Sequence, residues 1–476
     1  MDEEFLTRLQ ILRARWLQIL AIIASPILFS LQPVPKPMQS SMEQAAFSLR
    51  QGNSAASAES LADLLPWIAA QDALRTMAAE LALEAGNPSL TVELLSQETD
   101  LAAADRCLRF QAEIALSGPA QALELIEASD PGCPPPLEAL QSLAQRALVE
   151  NQPQLAYSIH QELLRLEPDN PDRWRDLALS QMLMDPTDGA DLMRQYLQRD
   201  QEPDPVATNL VRVVERAEIE EDPAYTFAQI GHVLLQHERW VESAVGFKQA
   251  MNIDPNYYEA QAYLGIALER QGLDGLAALE GAHETAPAAP LPAFLLSQQR
   301  LAQGELSPAL SLAKIAYQAE PENPAYLAQL AAAEAAAGDL QAAQDLYQSA
   351  VEFSGGRADF WLLLADFSVR NEVDIAGLAI PAARQAYRLD PSAAAADLLG
   401  YAYYLRGDYE IASRFLSEAL RREPASAKAN YHFGLLLTST GQVVMAREHL
   451  ARAVEVEPES HLSQLAERAL EQLEDS

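Results

Sequence analysis

Residues able to do chemistry are few in this chain, and their spacing suits none of the common reactions. Seven histidines (His160, His232, His237, His283, His432, His449 and His461) are scattered along 476 residues. None stands in the His-Glu-x-x-His spacing that turns two imidazoles toward one zinc ion. His232 and His237, five apart, fall on different faces of a helix or across a turn. Cys107 and Cys133 form no Cys-x-x-Cys pair, so neither a zinc site nor a disulfide framework is implied. Cys107 reads as a small apolar helix residue, Cys133 sits in the turn Asp130-Pro131-Gly132-Cys133-Pro134, and pairing between them stays open. Asp185, Asp188, Gly189 and Asp191 share the composition of a calcium loop, but the ligand spacing is wrong and no glutamate closes it. Phosphate-binding glycine loops and a Gly-x-Ser-x-Gly elbow are missing from the sequence. The expectation is a non-catalytic protein with no cofactor and no metal. The remote alternative is an enzyme with an unrecognised site in the irregular stretch Asp185–Asp222.

A formal net charge of −35 makes nucleic acid an unsuitable partner, since phosphate binding needs a basic surface. The acid either keeps a long helical surface soluble or favours basic partners. Abundant Ala, Leu, Glu and Gln favour helix throughout, and no run of alternating β-branched residues suggests a strand.

With catalysis set aside, the spacing of small residues carries the information. In Ala393–Pro458 one unit occurs twice. Gly400, Gly407, Ala412, Leu416, Ala419 and Pro424 match Gly434, Gly441, Ala446, Leu450, Ala453 and Pro458 step for step. Gly407 and Gly441 each divide two apolar-periodic segments and read as the turn of a helical hairpin. Gly400 and Gly434 lie mid-helix, at a usual cost of about 1 kcal/mol against Ala. They are tolerable if a second helix backbone crosses there, with Ala412 and Ala419, or Ala446 and Ala453, as its small-residue face. Pro424 and Pro458 stop that second helix. Turn markers continue backwards at Glu372, Gly338, Gly304, Gly272 and Glu238, in steps of 34, 35, 34, 34, 32 and 34 residues from Gly441. The beat reappears at Asp185, Asn151, Gly118, Gly86 and Gly52. Hairpins this short cannot bury their own apolar faces and must stack on neighbours.

These residues resemble the tetratricopeptide repeat family, a helix-turn-helix of about 34 residues. The resemblance implies an all-α fold, a right-handed superhelical solenoid whose first helices line a concave groove for a protein or peptide partner. It places Asp397, Tyr401 and Tyr404 of one repeat, and Lys428, Tyr431, His432 and Leu435 of the next, on that groove. His232, Leu235 and Tyr225 would sit similarly. The alternative is that these side chains simply pack between repeats, with Tyr403 and Phe433 in the core. The paired cationic set that clamps a peptide carboxylate in some members is not present, since Lys428 stands alone.

Residues 1–31 carry a tip of mixed charge, with Arg8, Arg13 and Arg15, and the apolar run Trp16–Leu31. As a helix its 16 residues span about 24 Å against a hydrocarbon core of about 30 Å. Arg13, Arg15 and Trp16 suit the interface and favour a cytoplasmic N-terminus with the solenoid extracytoplasmic. A cleaved secretory signal and a soluble or peripheral helix are the alternatives, cleavage being disfavoured because no small-x-small site closes the run. The segments expected to follow are a Pro-rich linker (32–41), degenerate hairpins (42–204), an inserted helix or bend (205–223), regular repeats (224–458) and a capping helix (459–476). A plain irregular repeat is the alternative for 205–223. The function expected is a membrane-anchored scaffold or adaptor in cell-envelope complex assembly. Its alternative is a self-associating structural protein, a homo-oligomer stacking through solenoid faces or His461–Glu474.

Overall fold

One backbone torsion recurs down the chain. Gly441, Gly407, Glu372, Gly338, Gly304, Gly272 and Glu238 all adopt φ between 52° and 93°. Asn151 at 57° and Gly86 at 72° do the same. Each left-handed residue ends one helix and lets the chain reverse into the next. Two of the earlier markers behave differently. Gly118 is extended, with φ −74° and ψ 163°, immediately before Pro119 opens a helix. Asp185 acts through its carboxylate, which accepts from the backbone N–H groups of Thr187 and Asp188 at 3.0 Å each. Asp185, one of the acids that suggested a calcium loop, thus caps a helix, and Asp191 pairs with Arg194.

The computed structural model describes residues 72–96, 101–128, 132–199, 204–217 and 222–474, with scattered positions between 43 and 60. The apolar run 16–31, the linker 32–41 and the turn expected at Gly52 lie outside the described residues. Among the described residues no helix is long and apolar enough to cross a membrane.

The chain divides into two compact units, Met1–Pro255 and Asn256–Ser476. In the first, α1 (Asp72–Glu84) pairs with α2 (Pro88–Leu95), α3 (Ala103–Leu116) with α4 (Pro119–Glu127), and α5 (Leu137–Val149) with α6 (Pro153–Leu166). Then α7 (Pro171–Met182) pairs with α8 (Pro186–Arg199). A single helix, α9 (Pro205–Ala217), precedes the hairpin of α10 (Pro223–Gln236) and α11 (Trp240–Ile253) and packs on α8 and α10. Helix α11 also returns to touch α5.

The second unit begins with α12 (Tyr258–Arg270) and α13 (Leu276–Thr285), then α14 (Pro290–Ala302) and α15 (Leu306–Ala319). Helices α16 (Pro324–Ala337) and α17 (Leu340–Phe353) follow, then α18 (Ala358–Arg370) with α19 (Ile380–Leu389). The array ends with α20 (Ala393–Arg406) and α21 (Tyr409–Arg422), α22 (Ala427–Ser439) and α23 (Val443–Val456), and α24 (His461–Glu474). First helices touch one another from hairpin to hairpin throughout this unit. Helix α24 packs on α22 and α23, and its Ala466 and Leu473 join their core.

Local chemistry sets the boundaries. Proline is the first residue of nine of the labelled helices, α2, α4, α6, α7, α8, α9, α10, α14 and α16, where its missing N–H is not needed. Asn87, Asn170, Asp222, Asn323, Asp339, Ser392 and Ser426 cap helices by accepting backbone N–H bonds. The one 35-residue step between turns is absorbed by a π-helical turn at Ile375–Ala379, just before α19. Asp374, left-handed at φ 44°, anchors it by accepting the Gly377 N–H at 2.8 Å.

Cys107 on α3 and Cys133, in the connection before α5, form a disulfide with Cα atoms 5.4 Å apart. The bridge spans helix α4 and closes a loop of 26 residues. Constraining a loop of that size in the unfolded chain is worth about 3 kcal/mol.

The mid-helix glycines sit where helices cross. A Cβ on Gly400 would lie 2.7 Å from Leu416 Cγ and 3.0 Å from the Leu416 backbone nitrogen, and one on Gly434 would lie 2.7 Å from Leu450 Cγ. Both leucines, with Ala412, Ala419, Ala446 and Ala453, are completely buried. Gly189 makes a closer approach, its hypothetical Cβ falling 2.2 Å from Met182 Cα. Helix propensity alone would have Ala stabilise both sites by about 1 kcal/mol. Overpacking opposes this by about 1–3 kcal/mol. Gly189→Ala and Gly400→Ala are therefore expected to lower the urea midpoint. Gly189→Ala should cost more, because backbone rather than a movable side chain blocks it. A raised midpoint for Gly189→Ala would show that the two helices do not meet there.

Candidate functional site

Helices α18, α20 and α22 stand side by side as first helices of successive hairpins. Their shared face carries most of the side chains picked out by the repeat register. Tyr401 and Tyr404 are half-buried on α20, and Lys428, Tyr431 and Leu435 are half-buried on α22. Tyr401 stacks on Tyr404 at 5.6 Å between ring centres, and Tyr404 contacts Tyr409 at 5.9 Å. The Tyr404 hydroxyl and Ser439 Oγ share a hydrogen bond of 3.1 Å across the two hairpins.

Asp397 and His432 belong to a different layer. Their relative exposures are 3% and 5%, so neither offers a side chain to a partner. His432 Nδ1 lies 2.8 Å from one Asp397 carboxylate oxygen and 3.0 Å from the other. Both are correctly placed on first helices, but they sit 35 residues apart, one more than the repeat, and so meet in the seam between helices. The pair acts as a support. Tyr401 lies flat on the His432 ring, 3.7 Å between centres and 6° from parallel, and Tyr431 leans on it at 5.8 Å. Tyr403 and Phe433, as the alternative reading had them, are core residues.

The only lysine of the cluster is already engaged. Lys428 Nζ holds Asp366 of α18 at 3.0 Å, and Asp366 also takes the Arg370 guanidinium at 2.5 Å. Exposed pairs of this kind contribute little to stability; their use here is to fix charge at the edge of the tyrosine face. His449 Nδ1 bonds the Asn430 side chain at 2.8 Å behind that face. In the first unit Tyr225, His232 and Leu235 share one face of α10 and are also half-buried, with His232 bonded to Gln236 at 2.9 Å.

Sequence spacing carried the tyrosines but missed the buried pair beneath them. The only signal for it was an acid and a histidine on first helices of neighbouring repeats, one residue out of step. Among the described residues no group of three or more His, Cys, Asp or Glu is arranged to hold a metal ion.

Burial pushes the Tyr401 hydroxyl up to about 12 from an ordinary 10.0, with the neighbouring Tyr431, Tyr404, Glu372 and Asp397 adding to the shift. Burial and then Tyr404 raise Tyr431, against the opposing Arg468. A phenol that resists ionisation in the folded state adds stability that is whole below pH 10 and drains away as pH rises through 12. A spectrophotometric titration is expected to show a slow-rising phenolate fraction near pH 12, reduced in Tyr401→Phe. The fall in urea midpoint between pH 9 and pH 11 should be shallower in that variant. If Tyr401→Phe leaves the titration curve unaltered, the ring is not enclosed as described.

Comparison with known proteins yields fold likeness only. No family model matches the sequence, and no curated protein matches it. Among solved structures, the Cut9–Hcn1 hetero-tetramer of the APC/C is similar at 15% identity, covering 95% of this chain and 98% of that one, with a TM-score of 0.40. A tetratricopeptide repeat protein from Parabacteroides merdae aligns at 14% identity over 53% of this chain and 99% of its own, with a TM-score of 0.43. MamA aligns at 21% identity over 35% and 91%, with a TM-score of 0.30.

Proposed function

We propose that this chain, a succession of tetratricopeptide-type hairpins, is a non-catalytic scaffold that binds a protein or peptide through the first-helix face of α18, α20 and α22. The observation that carries the reading is the half-buried trio Tyr401, Tyr404 and Tyr431 seated on a buried Asp397–His432 pair. Rigid aromatic rings with hydroxyl tips present apolar area and hydrogen bonding at little entropic cost, which is what a recognition surface needs. The support beneath them pre-organises the rings, so less freedom is lost on binding. A peptide with apolar and basic side chains fits this face, given the net charge of −35.

The location that accords best with the chemistry is the extracytoplasmic side of a membrane, with Trp16–Leu31 as the anchor and the scaffold serving envelope assembly. The Cys107–Cys133 disulfide supports this, because such bonds persist in oxidising compartments and are rare in reducing ones. Anchoring would raise the effective concentration of the scaffold near membrane-bound partners. A second reading, self-association, is favoured by a strip of exposed apolar residues at the starts of α21 and α23. There Tyr409, Ile411 and Met445 are 40–46% exposed and Val444 is 83% exposed.

Crosslinking in native membranes separates these readings. Wild type should capture a partner that the double variant Tyr401→Ala/Tyr431→Ala loses, with helix content unchanged. Identical captured species in both would remove the tyrosine face from consideration, and a crosslink joining two copies through position 444 would establish self-association instead. The anchor is tested by alkaline carbonate extraction followed by maleimide labelling. The chain should stay in the pellet, and its cysteines should label only after reduction. Release by carbonate, or thiols that label at once, would place it elsewhere.

A further inference from the structure

The chain has 33 Lys and Arg against 68 Asp and Glu, yet a set of arginines in the second unit has no acid to meet. Arg384 and Arg388, one turn apart, lie exposed on the second helix α19. Arg414 and Arg421, two turns apart, lie exposed on the next second helix, α21. Among the described residues no carboxylate forms an ion pair with any of the four. An aromatic seam joins the two helices. Arg384 Nη2 donates to the Tyr403 hydroxyl at 2.5 Å, Tyr403 stacks on Phe415 at 6.0 Å between ring centres, and Tyr387 meets Phe415 edge-on at 5.4 Å. Arg414 lies over the Phe415 ring, 5.6 Å from its centre. The Tyr387 hydroxyl then donates to Glu418 of α21 at 2.6 Å.

The carboxylates inside this set are already taken. Glu418 also accepts from Arg422 Nη2 at 2.9 Å. The Tyr387 bond first, then the Arg422 bond, with Arg421 adding its charge, hold the Glu418 carboxyl below its ordinary 4.5. Arg406, over the Tyr403 ring, pairs with Asp408. The charges of Arg384, Arg388, Arg414 and Arg421 therefore stay unmatched. A guanidinium offers a carboxylate two parallel hydrogen bonds, and neighbouring rings keep it flat and ready. One exposed pair contributes little, so a partner must supply several carboxylates together. It must also be short. Asp390, Glu410 and Glu423 stand exposed just beyond the arginines in sequence. Within the screening length of about 8 Å they repel any anion that runs past the set, as a bilayer surface or a nucleic acid does. A brief acidic stretch of polypeptide meets the arginines alone.

We infer that the arginine set of α19 and α21 docks an acidic segment of a partner protein, several Asp or Glu in succession. It uses second helices, whereas the tyrosine face uses first helices, so the inference does not rest on that face. Calorimetric titration of the full chain, in neutral detergent, with hexaglutamate tests it. The peptide should bind with Kd below about 1 mM at low salt and be released as salt rises. Arg388→Gln/Arg421→Gln removes two charges that no hydrogen bond or ion pair among the described residues uses. Binding should weaken about tenfold in that variant, with helix content unchanged. Arg212→Gln/Arg216→Gln takes the same charge from exposed positions of α9 and should leave binding as it was. Absence of heat from hexaglutamate, or equal losses in the two double variants, would overturn the assignment. Retention on phosphatidylglycerol vesicles that the Arg388/Arg421 variant loses and hexaglutamate does not displace would replace the acidic segment with anionic lipid. Dimers seen by light scattering without peptide, and abolished in the same variant, would give the arginines to a second copy of this chain instead.

Discussion

Between Gly400 and Leu416 there is no room for a methyl group, and that lack of room organises the hairpin. Two helices can share an interior only if one backbone comes close enough for the other's leucine to lie against it. Leu416 and Leu450 are completely buried as a result. Each such side chain contributes about 1.5–3 kcal/mol on leaving water. The alanines one turn to either side have no rotamers to lose and keep the approach open along the crossing. Where Gly gives way to another residue in the first helix, the contact is rebuilt. Ser297 of α14 donates its hydroxyl to the Ala309 carbonyl of α15 at 2.8 Å, converting the same crossing into a buried hydrogen bond.

This local rule also decides what the surface can do. Because first helices abut one another through the second unit, side chains at their seams are either consumed by packing or left half-covered on the face. Asp397 and His432 took the first fate, while Tyr401, Tyr404 and Tyr431 took the second. A hydrogen-bonded acid–imidazole pair in a seam is directional where alkyl contacts are not, so it fixes the rotation of α20 against α22 and hence the tilt of the rings above it.

How much of this was legible depended on whether a feature was local. The left-handed turns at Gly407, Gly441 and even Glu238 and Glu372 could be read from spacing, because a hairpin reversal must fall at a fixed place in each unit. The crossings at Gly400 and Gly434 were legible for the same reason. The turn role assigned to Gly118 and Asp185 was only half right, since either residue can open a helix as readily as it ends one. The Cys107–Cys133 bond and the cavity beneath the return of α11 had no sequence signature. Each depends on segments meeting across one or more helices, and a repeat pattern records only the spacing within a unit. The orientation of Asp397 and His432 was misjudged because the single-residue slip in register shifts a side chain by about 100° around its helix.

The return of α11 onto α5 gives residues 137–253 a property that a simple row of hairpins lacks. In a row each member touches only its immediate neighbours, so structure melts inward from whichever end is weakest. Joining the first and last helices of this segment leaves it with no loose end, and no hairpin within it can open without breaking contacts made by another. The segment is bound to behave as one cooperative block, a rigid hub from which the less interlocked hairpins on either side can fray and re-form independently.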